Sequence, residues 1–194
     1  MSVHDALEEA VEASGNKLTA VYIAVLAVLL AICGIGDDDA SKTAVRSNIE
    51  AANTYAFFQA KNIRQTDYEL AVDAFEAQLK HPSSDAELRN FLSERIGSYR
   101  QKIARYDSEP ATGEGKKELL EKARGLEAER DLALKRDPYF DLGQGLLQIA
   151  IVLASVSLIV GGSFLLIVSG ALATVGALST LNAFMLLIEV SFLA

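Results

Sequence analysis

Apolar and polar positions fall into blocks: residues 18–36 and 142–194 are strongly hydrophobic, and a charged stretch from Asp37 to Asp141 lies between them. A spanning helix needs about 20 apolar residues at ~1.5 Å rise each. The first block is therefore long enough for one pass and the second for two. Glu189 is the single formal charge after Leu142, and Gly161-Gly162-Ser163 is the natural break, since glycine pairs mark turns. This predicts spanning helices over 18–36, 142–160 and 164–187, with tails at 1–17 and 188–194. In the first tail Val3, Leu7, Ala10 and Val11 stand at helical spacing among Asp5, Glu8, Glu9 and Glu12, which predicts a short amphipathic helix. It lacks the basic start and small-residue cleavage site of a secretory signal, so it is expected to be retained.

Between the blocks, residues 37–141 show helical periodicity, without strand-like alternation or an Asn-Gly hairpin signal. The expected fold class is therefore all-α: an integral membrane protein with three transmembrane helices and a long extramembrane helical-hairpin insert between the first and second. Asp37 to Asp39 can cap a helix whose stripe is Val45, Ile49, Ala52 and Ala56, then Tyr68, Val72, Phe75 and Leu79, ending before Pro82. Ser84-Asp85-Ala86-Glu87 reads as a capping box. It opens a helix with Leu88, Leu92, Ile96, Tyr99, Ile103 and Tyr106 on one face. Glu109-Pro110-Ala111-Thr112-Gly113 breaks that helix, and a third, more solvated one follows from Glu114 to Arg136, where Asp137-Pro138 is expected to stop it.

Small residues line each span. Ala20, Ala24, Ala27 and Ala31 follow a 4-3-4 spacing, which recurs in Ala150, Ala154, Ser157 and Gly161, and in Ser169, Ala173, Gly176 and Thr180. Such seams let helix backbones approach closely in lipid, so the three spans are expected to pack as one bundle; the plainer reading is that small residues are common in spanning helices.

Composition sharpens this picture. Of 194 residues 51% are hydrophobic and 23% charged, which a single soluble globule would not keep in separate blocks. Residues 37–141 hold 21 acidic against 17 basic side chains, within a net charge of −8, so there is no basic footprint for nucleic acid. The one cysteine, Cys33, excludes an intramolecular disulfide. His4 and His81 are isolated, and there is no glycine-rich phosphate loop, nucleophile elbow or His-Glu-x-x-His pattern, so neither an enzyme nor a cofactor is expected. Asp37, Asp38 and Asp39 could gather calcium, but helix capping and a negative membrane edge explain them more simply.

The segment Asn53-Thr54-Tyr55-Ala56-Phe57-Phe58-Gln59-Ala60-Lys61-Asn62-Ile63-Arg64 and the run Gln148-Ile149-Ala150-Ile151-Val152-Leu153-Ala154-Ser155 resemble a bacterial membrane protein family known as domain of unknown function 4337. The resemblance covers most of the chain and carries no reaction over. Relatives tend to have tryptophan and tyrosines where Tyr55, Phe57 and Phe58 stand, and basic residues where this chain has Gly161-Gly162-Ser163. A basic turn there implies a bacterial inner (cytoplasmic) membrane protein with the short turn in the cytoplasm and the insert on the periplasmic side. Lys42, Arg46, Arg130, Lys135 and Arg136 against Lys17 favour the opposite orientation, although long loops obey the positive-inside rule poorly.

Two groups of residues are candidates for specific contacts. Tyr55, Phe57, Phe58, Gln59, Lys61 and Arg64 could serve an oligomer or partner interface, either by holding an anion and stacking by cation–π or by locking the hairpin with an aromatic cluster. Gln148, Asn182 and Glu189 are polar groups within apolar spans, and Asn182 and Glu189 are seven apart on one face. They could line a polar ring on an oligomer axis or make interhelical and interfacial contacts. The leading expectation is a non-enzymatic homo-oligomer in the lipid bilayer, acting as a scaffold or docking stalk for a protein partner. A channel or transport subunit and an accessory subunit of a larger membrane complex are the alternatives.

Overall fold

The computed structural model describes the backbone of residues 3–81, 85–160 and 163–188, and side chains from residue 17 onward within those ranges. Four helices make up the fold, and there is no strand among the described residues: α1 (Val3–Leu79), α2 (Ala86–Asp107), α3 (Lys116–Val160) and α4 (Ser163–Met185). Helices α1, α3 and α4 are each long and apolar enough to cross a membrane. The expected turn at Gly161 and Gly162, Ser84 of the capping box, the side chains of the amphipathic tail, and Glu189 all lie outside the described residues.

Two boundaries differ from the sequence expectation. Asp37, Asp38 and Asp39 cap nothing, because α1 runs straight through them. Extending an existing helix gains one hydrogen bond per residue fixed and avoids a new nucleus, so the modest helix propensity of aspartate does not stop a helix arriving from an apolar segment. Asp38 instead pairs with Lys42 one turn on, at 2.8 Å. Likewise Asp137-Pro138 does not end α3, since Pro138 lies inside it. The proline removes one backbone bond, but the next two side chains, Tyr139 and Phe140, are buried, and their packing holds the backbone helical. At the far end α4 stops at Met185, two residues before the expected boundary, where Leu186 takes a positive φ of 47°.

The chain forms two compact units: Met1–Ala44 with Asp131–Ala194, and Val45–Arg130. In the first, Leu26, Cys33 and Ala40 of α1 are buried at seven-residue intervals against Tyr139, Phe140, Leu147 and Ala150 of α3 and Ala173 and Ala183 of α4. The small-residue seams of α3 and α4 form this interior, with Ala150, Ala154, Ser169, Ala173, Gly176 and Thr180 buried and Ser157 half-buried. Span one departs from the expectation, because Ala20, Ala24, Ala27 and Ala31 are exposed. Its packing face is the opposite one, where the larger side chains of Tyr22, Leu26, Leu29 and Leu30 meet the small faces of its neighbours.

Polar contacts fix that interior. Ser169 Oγ donates to the Ala150 carbonyl at 2.7 Å. Its proton thus committed, it accepts from the Tyr22 hydroxyl at 3.1 Å. Ser179 Oγ donates to the Tyr139 carbonyl at 2.8 Å, and Cys33 Sγ to the Phe140 carbonyl at 3.3 Å. Such bonds pair the buried Ser169 and Ser179 hydroxyls and the Cys33 thiol with backbone carbonyls.

The second unit is a helix pair. The distal part of α1 lies antiparallel to α2, with Phe75 stacked on Tyr99 at 5.8 Å and Tyr68 against Tyr99 at 4.8 Å and Tyr106 at 6.0 Å. The proximal part lies antiparallel to α3: Lys116 bonds Asn62 at 2.9 Å, Tyr55 bonds Glu127 at 3.0 Å and Arg130 bonds Asn48 at 3.3 Å. The third helix, expected to be the more solvated one, pairs with α1 here. It prolongs the return arm of the hairpin, and its weak stripe of Leu119 and Ala123 is buried because a pair of helices needs only a narrow seam.

Asp85 caps α2, its carboxylate accepting from the Leu88 amide at 2.8 Å. Replacing Asp85 with alanine is expected to weaken the first turn of α2 by about 1 kcal/mol. Amide exchange of residues 87–89 should then quicken roughly fivefold, by the usual conversion of ~1.4 kcal/mol per tenfold, while that of residues 96–104 stays the same.

Candidate functional site

The aromatic-Gln-Ala-Lys segment lies on α1 in the second unit, and helical geometry divides it between two faces. Tyr55, Phe58 and Lys61 turn inward, Phe57 lies at the margin, and Gln59 and Arg64 point to solvent. The inward face repeats every seven residues, through Ser47, Thr54 and Lys61, all buried. A serine and a threonine on this line let α3 approach closely, and Thr54 returns its hydroxyl to the Glu50 carbonyl at 2.7 Å.

Lys61 is the unusual member, a cation only 5% exposed. Its stem crosses the pair and its ammonium donates to the Glu114 carbonyl oxygen, with the Glu114 carboxylate 3.4 Å away. The same ammonium stands 4.9 Å from the Phe57 ring centre and 5.8 Å from that of Tyr106. A cation on two aromatic faces with a carbonyl and a carboxylate beside it is stabilised by the ring quadrupoles as well as by its hydrogen bonds. The anion-holding capacity foreseen for Lys61 is thus satisfied within the chain, by Glu114, and its place is the joint where the return arm breaks between α2 and α3.

That joint is built from residues 108–118. Gly113 adopts φ +70°, a conformation in which a side chain is strained. At Gly115 an added Cβ would fall 2.3 Å from the Glu109 nitrogen, so the backbone passes too closely for anything larger. Glu118 closes the loop by accepting from the Ser108 hydroxyl at 2.6 Å and the Glu109 amide at 3.1 Å. These donors, the Ser108 hydroxyl foremost, hold the Glu118 carboxyl below the usual glutamate range. The folded loop therefore prefers the charged form. Its contribution is complete above the ordinary glutamate value and is lost as pH falls through the lowered one. Amide protection at residues 109–115 should exceed that of Glu118→Gln at pH 6, and the difference should shrink as pH falls below the ordinary glutamate value.

On either side lie further bonds within the chain. Arg100 pairs with Glu76, and Lys117 with Asp107 at 2.7 Å, while Lys102 lies over Tyr68 at 5.1 Å and Tyr99 at 5.7 Å. Glu114, Tyr106 and Glu127 complete the contacts of the signature segment, yet each stands 45 or more residues away along the chain from the side chain it meets, so no local spacing marks it.

The polar residues of the apolar spans are placed differently. Gln148 is exposed on α3. Asn182 donates from Nδ2 to the Ile188 carbonyl at 2.8 Å and accepts the Ile188 amide on Oδ1 at 2.9 Å. Its side-chain amide pairs both backbone groups of Ile188, just past the end of α4. Among the described residues no group of histidine, cysteine, aspartate or glutamate side chains could hold a metal ion.

No curated protein and no solved structure matches the chain. A family model does, over residues 15–186, which takes in the three apolar helices, the signature segment and the joint that Lys61 fills. The chain therefore belongs to the family described as Domain of unknown function (DUF4337).

Proposed function

We propose that this chain is a non-enzymatic, self-associating protein of the bacterial inner membrane, anchored by three spans and presenting the Val45–Arg130 unit as a scaffold or partner-docking stalk. The observation that carries the reading is the one-sided packing of α1 in that unit. One face binds α2 and α3, whereas Val45, Ile49, Ile63 and Leu70 on the other are each more than half exposed. Outside lipid, isolated apolar side chains are ordinary, but a contiguous row of them marks an interaction surface. The family resemblance supports a periplasmic stalk. Asn182 is bonded to Ile188, which favours the scaffold over a polar channel axis.

Mass measurement of the full chain released from its membrane in lipid nanodiscs tests the proposal. A particle holding two or more chains of 20.8 kDa is the expected result. A particle holding one chain, at every lipid-to-protein ratio, overturns self-association.

A further inference from the structure

The exposed row on α1 has a spacing of its own. Starting at Val45 and counting four and three residues in alternation reaches Ile49, Ala52 and Ala56, then Gln59, Ile63, Thr66 and Leu70, and every one of these positions is exposed. Three and a half heptads is the length over which such a pattern specifies a helical partner. The inward face, on Ser47, Thr54, Lys61 and Tyr68, also repeats by seven but lies on the other side of the helix, so both faces can be filled at once.

The geometry points to a parallel homodimer in which the outward row of α1 packs against the same row of a second copy. This deepens the scaffold reading by naming its partner and surface. Three features of the row select a second copy of this chain. Two chains anchored in one bilayer present their stalks on the same side, which makes a parallel pair the natural one. In a parallel pair each residue of the row meets its own counterpart: Ile49, Ile63 and Leu70 give apolar layers, and Ala52 and Ala56 let the backbones come close. Of the flanking positions, Asn48, Tyr55 and Asn62 are held by Arg130, Glu127 and Lys116 of α3, and the opposite edge carries Asn53, Ala60, Asp67 and Ala74, so no pair of like charges faces across the seam.

Gln59 gains a role in this arrangement. It is the polar residue of the signature segment that lies on the row, between Ala56 and Ile63. Across a two-fold axis its amide can both donate to and accept from its counterpart. A polar pair in an apolar seam fixes register at some expense of stability. The signature thereby divides its work, Lys61 holding the return arm and Gln59 aligning two copies.

Oxidative crosslinking of the full chain in its native membrane decides the matter. Ile49→Cys, Gln59→Cys and Ile63→Cys lie on the row, and Glu50→Cys is an exposed control off it. Cys33 is buried and present in all four variants, so the control also measures its background. The row variants should form dimer at least fivefold faster than the control. A control that crosslinks as fast as the row overturns the proposal, as does absence of dimer in all four variants. If the nanodisc particle still holds several chains in that case, self-association stands and only this surface is wrong. Ile49→Asp combined with Ile63→Asp provides a second measurement: a single-chain particle with unchanged helix content supports the row, and an undiminished oligomer overturns it.

Discussion

Gly143→Leu should prevent the three apolar helices from packing, whereas Gly145→Leu, one turn-fraction away on the same helix, should not. At Gly143 an added Cβ would lie 2.5 Å from Thr180 Oγ1, 3.1 Å from the Gly176 carbonyl oxygen and 3.3 Å from Cys33 Sγ, so it confronts α1 and α4 together. The Thr180 hydroxyl can turn aside only by giving up its 2.9 Å bond to the Gly176 carbonyl, and the carbonyl is backbone and cannot yield. Gly176 in turn approaches the Gly143 carbonyl to 3.1 Å by the same measure, so neither helix can retreat without opening the other's contact. Overpacking a close backbone crossing costs about 1–3 kcal/mol and occasionally more. At Gly145 an added Cβ meets nothing within 4 Å. There leucine should hold or slightly raise the melting temperature, because it is the better helix former by nearly 1 kcal/mol. Thermal unfolding of the two variants in one detergent makes the comparison, and equal melting temperatures would refute the crossing.

The second large effect is expected at Lys61. Lys61→Ala removes the ammonium that binds Glu114 and stands over Phe57 and Tyr106, and it empties the space filled by the stem. A charged hydrogen bond is worth about 1.5–3 kcal/mol and a sheltered cation–π contact about 1. Because the Glu114 carboxylate is itself exposed, the ion pair adds little beyond these. A net loss of about 2–3 kcal/mol follows. It should be read as amide exchange roughly 30- to 150-fold faster through residues 108–118, at ~1.4 kcal/mol per tenfold. Lys61→Met keeps the stem and should recover part of the protection. Arg64→Ala, one turn on and exposed, should change it by less than about 0.5 kcal/mol. Should Arg64→Ala and Lys61→Ala prove alike, the cation does not hold the joint.

Much of this architecture was legible in the hydrophobic pattern. Continuous apolar runs and a helical period leave little choice of element type, and three helices long and apolar enough to cross a membrane, with helical structure between the first two, follow from them. Boundaries were harder. Asp37 to Asp39 and Asp137-Pro138 carry the residues that start and stop helices in isolation, yet both lie inside continuous helices because propagation and the burial of Tyr139 and Phe140 outweigh local preference. The face used by span one was misjudged for a related reason. Counting small residues finds where backbones can approach, whereas α3 and α4 already supply the small surfaces and α1 supplies Tyr22, Leu26 and Leu29 to fill them.

The candidate site shows the same division. That Tyr55, Phe58 and Lys61 share a face can be counted from the sequence, but Glu114, Tyr106 and Glu127 reach them only once the chain has turned back. The outward row was half visible as Val45, Ile49, Ala52 and Ala56. Its continuation through Ile63 and Leu70 was hidden, because Tyr68, Val72, Phe75 and Leu79 carry a stronger apolar signal on the opposite face.

Amide hydrogen exchange of the full chain in lipid nanodiscs examines the central claim, that three helices cross the bilayer and the Val45–Arg130 unit stands outside it. Residues 18–36, 142–160 and 164–185 should resist exchange for hours, while residues 108–115 exchange within seconds to minutes. Exchange of any one of the three spans as fast as that loop would contradict the account.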